Sequence, residues 1–395
     1  MREKGLHHIQ HRLDAVEQQD DFWAQYGFIM SNDCDGSETE KNHNQLVLPA
    51  NGKLVINWAL PALGPGSGGH LNILRLVKYL ETFGHQNCLY FVHPPEYRGI
   101  DEDDLRKAVK AFYDIELKTT RLICGGDEIM DSHATLASSW QTAYFVRRFS
   151  RTVKKFYFIQ DFEPYFFPRG GLYHLAANTY NFGFHGITAG GWLADKLQRE
   201  FGMPCDSIGF AYEADLYQKV PMPQCSSKPK VLYYARPTTE RRAFEIAVLA
   251  LYLLKQRLPE AEVHFVGGDT SSYQLPFEVA QNYGSVSLQQ LPEIYSSVDV
   301  ALVLSATNLS LLPLEILACG TPVVMNRGGN TEWLGEHFVF ADFSPEAIAD
   351  ALEQYLTNAG LRQQMILASQ DMLARLSWEE EARKVEDIIK RQTAK

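Results

Sequence analysis

The chain has 395 residues, of which 45% are hydrophobic and 22% charged, with a formal net charge of −11. That length suits two domains with separate cores, and no apolar run approaches the roughly 18–20 residues needed to span a bilayer. The acidic balance excludes general binding to nucleic acid, whose phosphates demand a basic surface.

Residues 1–50 read as a polar extension, with His7, His8 and His11 near its start and a loop over Ser31–Ser37. The opening has no apolar h-region, so a cytoplasmic protein is expected. Six cysteines (34, 88, 124, 205, 225, 319) show no Cys-x-x-Cys spacing, which argues against a zinc site or a disulfide framework. From Leu54 the pattern is strand (Leu54–Leu60), glycine loop (Gly64–Gly69), helix (Leu71–Phe83), strand (Cys88–Val92), a β-α-β unit that implies a parallel sheet. Asp101-Glu102-Asp103-Asp104 has the Asp-x-Asp spacing of some metal sites. It reads better as a helix start, because Leu105, Ala108, Val109 and Phe112 follow at helical spacing.

Further strand–helix pairs are predicted: Arg121–Cys124 before a helix over Ser132–Ser150, then a strand Phe156–Gln160, and Gly186–Thr188 before a helix Trp192–Phe201. Arg147, Arg148, Arg151, Lys154 and Lys155 form a basic run, which reads either as a solvated helix face or as an attraction to an anionic membrane or a phosphate-bearing acceptor. Pro221–Pro229 looks like an interdomain linker. A second α/β unit follows: Val231–Tyr234, Arg242–Arg257, Glu262–Val266, Leu291–Ser296, Val300–Leu304, a short helix around Glu315, and a strand from Pro322 to Met325. Ser377 with Glu380 predicts a capping box at the head of a charged C-terminal helix.

Three groups of residues carry chemistry. Gly64-x-Gly66-x-x-Gly69 has the form of a dinucleotide fingerprint, which would make the chain an NAD(P)-dependent oxidoreductase, but the following strand ends Phe91-Val92-His93-Pro94 without the acid that holds the ribose. What remains is a loop (Gly66, Ser67, Gly68, Gly69) whose N–H groups can approach an anion at a helix start. In the second unit, Arg236 ends a strand and Arg241-Arg242 open the next helix, a placement suited to a diphosphate. Pro313-Leu314-Glu315 then leads through an apolar helix to Gly320-Thr321-Pro322, so Glu315 is either buried with a partner or faces a site.

Taken together, Arg236-Pro237, Arg241-Arg242 and the Pro313–Val324 segment resemble the donor-binding elements of the family 4 glycosyltransferases. Gly66–His70 and Ile159–Pro164 are similar to a narrower group of bacterial rhamnosyltransferases. The resemblance, over roughly 54–376, implies an α/β chain of the GT-B fold. Two Rossmann-like domains (51–220 and 221–376) would face a central cleft, with the C-terminal helix (377–395) packing back on the first. It implies that Arg236 and Arg241 or Arg242 bind the donor diphosphate and Glu315 the nucleotide ribose, with Gly267-Gly268 leaving room beside them. Asp161 would stand nearest the reacting carbon, flanked by Gln160 and Glu163, although an Asp before Pro164 also reads as a turn cap. The family's first glutamate, eight positions before the second, is replaced by Thr307, followed by Asn308, in the stretch that contacts the donor sugar. That departure points away from a common hexose and towards a 6-deoxy sugar. The resemblance therefore implies a retaining transfer of L-rhamnose from dTDP-L-rhamnose, or of another sugar from UDP, to a glycan acceptor, lipid-linked or not. Tyr165, Phe166, Phe167 and Arg169 would meet the acceptor, and no metal or other cofactor is expected. A sugar- or nucleotide-binding protein without activity is the alternative outside the enzyme classes.

Overall fold

The computed structural model describes residues 22–30, 52–64, 66–92, 100–125, 129–221, 228–309 and 311–394. The expectations for His7, His8, His11, the Ser31–Ser37 loop and residues 222–227 of the linker lie outside them.

Two all-parallel sheets organise the chain. The first has the order β3-β2-β1-β4-β5-β6-β7, from β1 Val55–Leu60, β2 Gln86–Phe91, β3 Arg121–Cys124, β4 Ser132–Ala137, β5 Thr152–Ile159, β6 His185–Ala189 and β7 Cys205–Ile208. The second has the order β10-β9-β8-β11-β12-β13, from β8 Lys230–Tyr234, β9 Glu262–Val266, β10 Gln281–Asn282, β11 Val300–Val303, β12 Val323–Asn326 and β13 Val339–Ala341. In each sheet the chain winds outward for three strands and then returns to the other side of its first strand. Such reversals open a crevice at the carboxyl ends of the two central strands, β1 and β4 in one sheet and β8 and β11 in the other, where ligands of open α/β sheets bind.

The structure divides the helix expected over Ser132–Ser150 into the strand β4 and a helix Trp140–Arg148. Every residue of β4 is buried. A central strand covered on both faces does not alternate, so its periodicity cannot separate it from a buried helix. The helix begins at Ser139, whose hydroxyl accepts from Thr142 N while Thr142 Oγ1 accepts from Ser139 N at 2.9 Å. The basic run is correspondingly not one solvated helix face. Arg148 donates to the carbonyls of Phe28 and Ile29, Arg147 lies over the Phe182 ring, Arg151 pairs with Asp131 at 3.2 Å, and Lys155 donates to Arg147 O at 2.7 Å. Asp101 is the N-cap of a helix Glu102–Tyr113, accepting from Asp104 N at 2.9 Å. Among the described residues no helix is long and apolar enough to cross a membrane.

After two helices on the second domain (Pro345–Thr357 and Ala359–Ala374), the chain returns to the first domain as the helix Trp378–Thr393. Its buried residues Trp378, Ala382, Val385, Ile388 and Ile389 recur every three or four positions and form one stripe. The charged flank is tied down as well: Glu386 to His85 Nε2 at 2.9 Å, Glu381 to Gly209 N at 2.7 Å, and Arg391 to Asp206 at 2.5 Å. At the head of the helix, Ser377 Oγ accepts from Glu380 N at 3.4 Å. The helix thereby links the two ends of the chain's path into one body. Ile389 is fully buried, so Ile389→Ala is expected to lower unfolding stability by about 2–5 kcal/mol, measured by denaturant titration. A loss under about 0.5 kcal/mol would show that the helix does not dock as described.

Candidate active site

The first domain meets the cleft with its glycine loop. The helix that follows starts at Gly68, earlier than the expected Leu71, because Ser67 caps it: Ser67 Oγ accepts from His70 N at 3.4 Å and lies 2.7 Å from His70 Nδ1. Gly66 has φ +70°, a left-handed value that a side chain would strain. A Cβ on Gly66 or Gly68 would meet nothing within 4 Å, whereas one on Gly69 would lie 3.2 Å from Gln160 Nε2. Gln160 therefore braces the loop: its Nε2 donates to Gly69 O at 3.0 Å, and its Oε1 accepts from Asn72 Nδ2 at 2.9 Å.

The end of β5 touches the second domain directly. Asp161 Oδ1 accepts from Phe162 N (2.8 Å) and from Asn308 N (2.9 Å), while Oδ2 accepts from Thr307 Oγ1 (2.7 Å) and stands 4.0 Å from Arg241 Nε. Burial raises the Asp161 carboxyl above its ordinary value, and the bonds from Asn308 and Thr307 and the charges of Arg241 and Arg242 oppose that rise. Asn308, expected to contact the donor, is instead a structural tie. Its Nδ2 donates to Gln160 O and Ala189 O, both at 2.9 Å, and its Oδ1 accepts from Trp333 Nε1 at 3.0 Å, which uses both ends of the amide.

Glu163 also departs from expectation. Its carboxylate turns into the first domain, accepting from Trp140 N and Tyr157 OH, both at 2.8 Å, and Tyr180 OH accepts from its N–H. Its carboxyl oxygen accepts from the first N–H of the Trp140–Arg148 helix. Burial pushes its pKa up to about 7, with Trp140 and Tyr157 pulling the other way.

The second domain contributes a cluster of cations. Arg236, just beyond β8, donates from Nη1 to Gly267 O at 3.0 Å. Gly267 has φ +117°, and a Cβ there would lie 2.6 Å from the Tyr234 ring, so the chain passes β8 too closely for any side chain. Arg241 and Arg242 do not open the helix as expected. They lie in a 3-10 turn, Glu240–Arg242, and the helix Phe244–Arg257 begins after Ala243, which has φ +49°. That break aims Arg241 at the first domain, over the Phe166 ring at 4.6 Å, while Arg242 Nη1 donates to Ser305 Oγ at 3.1 Å. Burial lowers the pKa of Arg242; Tyr234 and Asp161 oppose this, and Arg241 and Arg236 add to it by repulsion. Arg236, Arg241 and Arg242 thus share one corner with the Asp161 carboxylate.

Glu315 sits in the short helix Leu312–Ala318, which Gly320 closes with φ +80°. It is buried, with 7% exposure. Burial pushes its pKa up to about 7, against the charge of Arg75 and the hydroxyl of Tyr217, and Glu213 adds to the rise.

Sequence reasoning missed the residues that lock the two domains together. A Cβ on Gly190 would lie 2.7 Å from the indole of Trp333, and one on Gly329 would lie 2.7 Å from Trp192 Cδ1. Each domain thus presents a glycine to the other's tryptophan. The signal was available as two Gly-Gly turns, each followed within a few residues by a tryptophan: Gly190-Gly191-Trp192 and Gly328-Gly329 before Trp333. Within the second domain, Asn330 holds the loop after β11, donating to Ser305 O (2.9 Å) and Thr307 O (2.6 Å).

Two doubly wound parallel sheets that meet at the carboxyl ends of their strands, and a helix returning from the second domain to the first, define the GT-B fold. A sucrose-phosphate synthase from Thermosynechococcus elongatus superimposes with a TM-score of 0.65 at 14% identity, over 87% of this chain and 100% of that one. Anabaena HepE, in complex with UDP and glucose, superimposes with a TM-score of 0.65 at 13% identity, over 85% of this chain and 98% of that one. Within that fold the chain resembles WsaF: residues 229–353 match the family described as WsaF, C-terminal domain. The O-antigen biosynthesis protein RfbC of Myxococcus xanthus is 29% identical over 350 residues, 86% of this chain. The chain spans about a quarter of that relative's length, the aligned share being 27%.

The burial of Glu163 has a measurable consequence. Its folded pKa, about 7, lies above the unfolded value, so its contribution to stability is fully present below about pH 4.5 and is lost as pH rises through about 7. Glu163→Gln removes that dependence. The stability of the variant relative to wild type is expected to improve between about pH 5 and pH 8.5 by on the order of 3 kcal/mol. A pH-independent difference in denaturation midpoints would show that Glu163 is not a group whose ionisation costs stability.

Proposed function

We propose that the chain is a glycosyltransferase of bacterial surface-polysaccharide assembly that takes a nucleotide-sugar donor and a glycan acceptor. The observation that carries this reading is the corner of Arg236, Arg241 and Arg242, whose mutual repulsion a donor diphosphate would relieve. Glu315 supplies an acceptor for the ribose diol, and the Gly66–Gly69 loop supplies backbone N–H groups at a helix start on the opposite wall. These groups would stabilise the negative charge that grows on the departing diphosphate, the interaction that speeds such a transfer most. The relation to RfbC, an O-antigen biosynthesis protein, supports the polysaccharide context.

The finer reading is a retaining transfer of L-rhamnose from dTDP-L-rhamnose. It rests on Thr307, which stands where the family pattern has an acid to grip hexose hydroxyls. Asp161 reaches that threonine from the other domain and keeps 13% of its side chain exposed. It therefore offers a carboxylate at the reacting centre, able to orient an acceptor hydroxyl or to stabilise positive charge on the sugar. Tyr165 and Phe166 follow in the turn Glu163–Phe166, exposed at 43% and 39%, and offer flat faces to an acceptor sugar.

The test begins with ligand-dependent unfolding. dTDP or UDP at about 100 times its Kd is expected to stabilise the protein by about 2.7 kcal/mol, and stabilisation by NAD(P) alone would overturn the transferase reading. Arg241→Ala is expected to weaken nucleotide binding by about 10- to 100-fold and Glu315→Gln by about tenfold. Incubation with dTDP-rhamnose and rhamnose-terminated acceptors, read by product mass and linkage, then decides the sugar. Asp161→Asn should lose about 100-fold or more of the transfer rate while nucleotide binding changes less than tenfold. Full activity in that variant would remove Asp161 from the reaction.

A further inference from the structure

Of the three arginines in the donor corner, Arg236 and Arg242 are each held by a hydrogen bond within the second domain, to Gly267 O and to Ser305 Oγ. Arg241 is held differently. Its backbone carbonyl accepts from Ala306 N at 2.8 Å, which ties its main chain to the loop after β11. The contacts of its side chain come from the first domain: the guanidinium lies 4.6 Å from the centre of the Phe166 ring, and Nε stands 4.0 Å from Asp161 Oδ2. That Nε is buried with no hydrogen-bond partner among the described residues, although 33% of the side chain is exposed.

Phe166 is placed firmly enough to act on that arginine. It belongs to the 3-10 turn Glu163–Phe166, which is closed by Tyr165 N to Phe162 O at 2.9 Å and by Phe167 N to Pro164 O at 3.2 Å. Both of its neighbours are anchored in the first domain. Tyr165 OH accepts from Lys196 Nζ at 3.1 Å, and its ring stands edge-on to Phe162 with centres 4.6 Å apart. Phe167 packs edge-on to Trp140 at 6.1 Å. Phe166 itself, 39% exposed, is turned out of its own domain's core and against a cation of the other domain.

A ring face attracts a cation through its quadrupole and consumes none of its N–H groups. It can therefore restrain a guanidinium while leaving the donors free for an anion, which a hydrogen-bonding partner in the same place would not do. We propose that Phe166 is a positioning residue for the donor site: from the first domain its ring holds the Arg241 guanidinium in place, so that the arginine meets the donor diphosphate already oriented. The inference rests on Arg241 as a diphosphate ligand. One face of the ring is thereby committed to the second domain, which leaves its other face and Tyr165 to an acceptor sugar.

Calorimetric titration of the full chain with dTDP and with UDP tests this. Phe166→Ala is expected to weaken nucleotide binding by about three- to tenfold, and Phe166→Leu, which keeps bulk without the ring, by nearly as much. Phe166→Tyr should stay within about twofold of wild type. The readout that a merely structural Phe166 would not move is its coupling to the arginine: in an Arg241→Ala background, Phe166→Ala should change the affinity by less than about twofold. Wild-type affinity in Phe166→Ala or Phe166→Leu, or an equal loss in both backgrounds, would overturn the inference and leave Arg241 as a ligand. Wild-type affinity in Arg241→Ala would overturn the diphosphate reading beneath it, and absence of binding of either nucleotide to the wild type would overturn both. Should Phe166→Ala fail to fold by circular dichroism, Phe166→Leu in the two backgrounds decides by the same comparison.

Discussion

Asn308 is the point on which the arrangement of the two domains depends. It belongs to the loop after β11, is 2% exposed, and reaches into the first domain to bond the backbone at the ends of β5 and β6. A buried amide must have its donors and acceptor met, since each one left unpaired costs about 1–3 kcal/mol. The placement of the two sheets meets them all. The tryptophans then fill that placement, Trp333 against Gly190 and Trp192 against Gly329, with no room for a Cβ on either glycine. The same contact brings Asp161 against Thr307 and sets Arg241 over Phe166. The corner where the donor diphosphate is proposed to sit is thus assembled by a contact between domains, and belongs to neither alone.

The three buried carboxylates near the cleft show how one residue type serves different ends through its surroundings. Glu163 is enclosed within the first domain, where its two oxygens order a helix start and an aromatic cluster of Tyr157, Phe162 and Tyr180. Asp161, two residues earlier, faces the other way because the chain bends into a 3-10 turn after β5. Two of its three bonds come from the second domain's loop, and they oppose the rise that burial imposes on its carboxyl. Glu315 has the fewest strong partners of the three. Burial pushes its pKa up to about 7, as it does for Glu163.

Backbone freedom is used sparingly, and at places that matter. Gly267 lets β9 leave its sheet beside Tyr234, which puts a free carbonyl where Arg236 can bond it. Ala243 takes a left-handed conformation without being glycine, at a cost of about 1 kcal/mol. The kink it makes separates Arg241 and Arg242 from the helix, so that one reaches the first domain while the other stays with Ser305. A continuous helix would have put both on its surface.

The linear sequence determined most of the architecture. Apolar strands separated by amphipathic helices made two parallel sheets legible, and the Ser377 cap with the stripe from Trp378 to Ile389 made the returning helix legible, because both signals are periodic and local. The glycine loop, Arg236 and Glu315 were legible for the same reason: each lies at the end of a strand or inside a helix that the pattern defines. β4 was not, since a strand buried on both faces has no alternation to read. Direction and partnership were not either. Asn308 looked like a donor contact and is a tie between domains; Glu163 looked like a companion of Asp161 and points into the core. Those outcomes depend on which atoms approach from other elements, over a hundred residues away for Asn308 and within two dozen for Glu163, and only the tertiary packing brings them together.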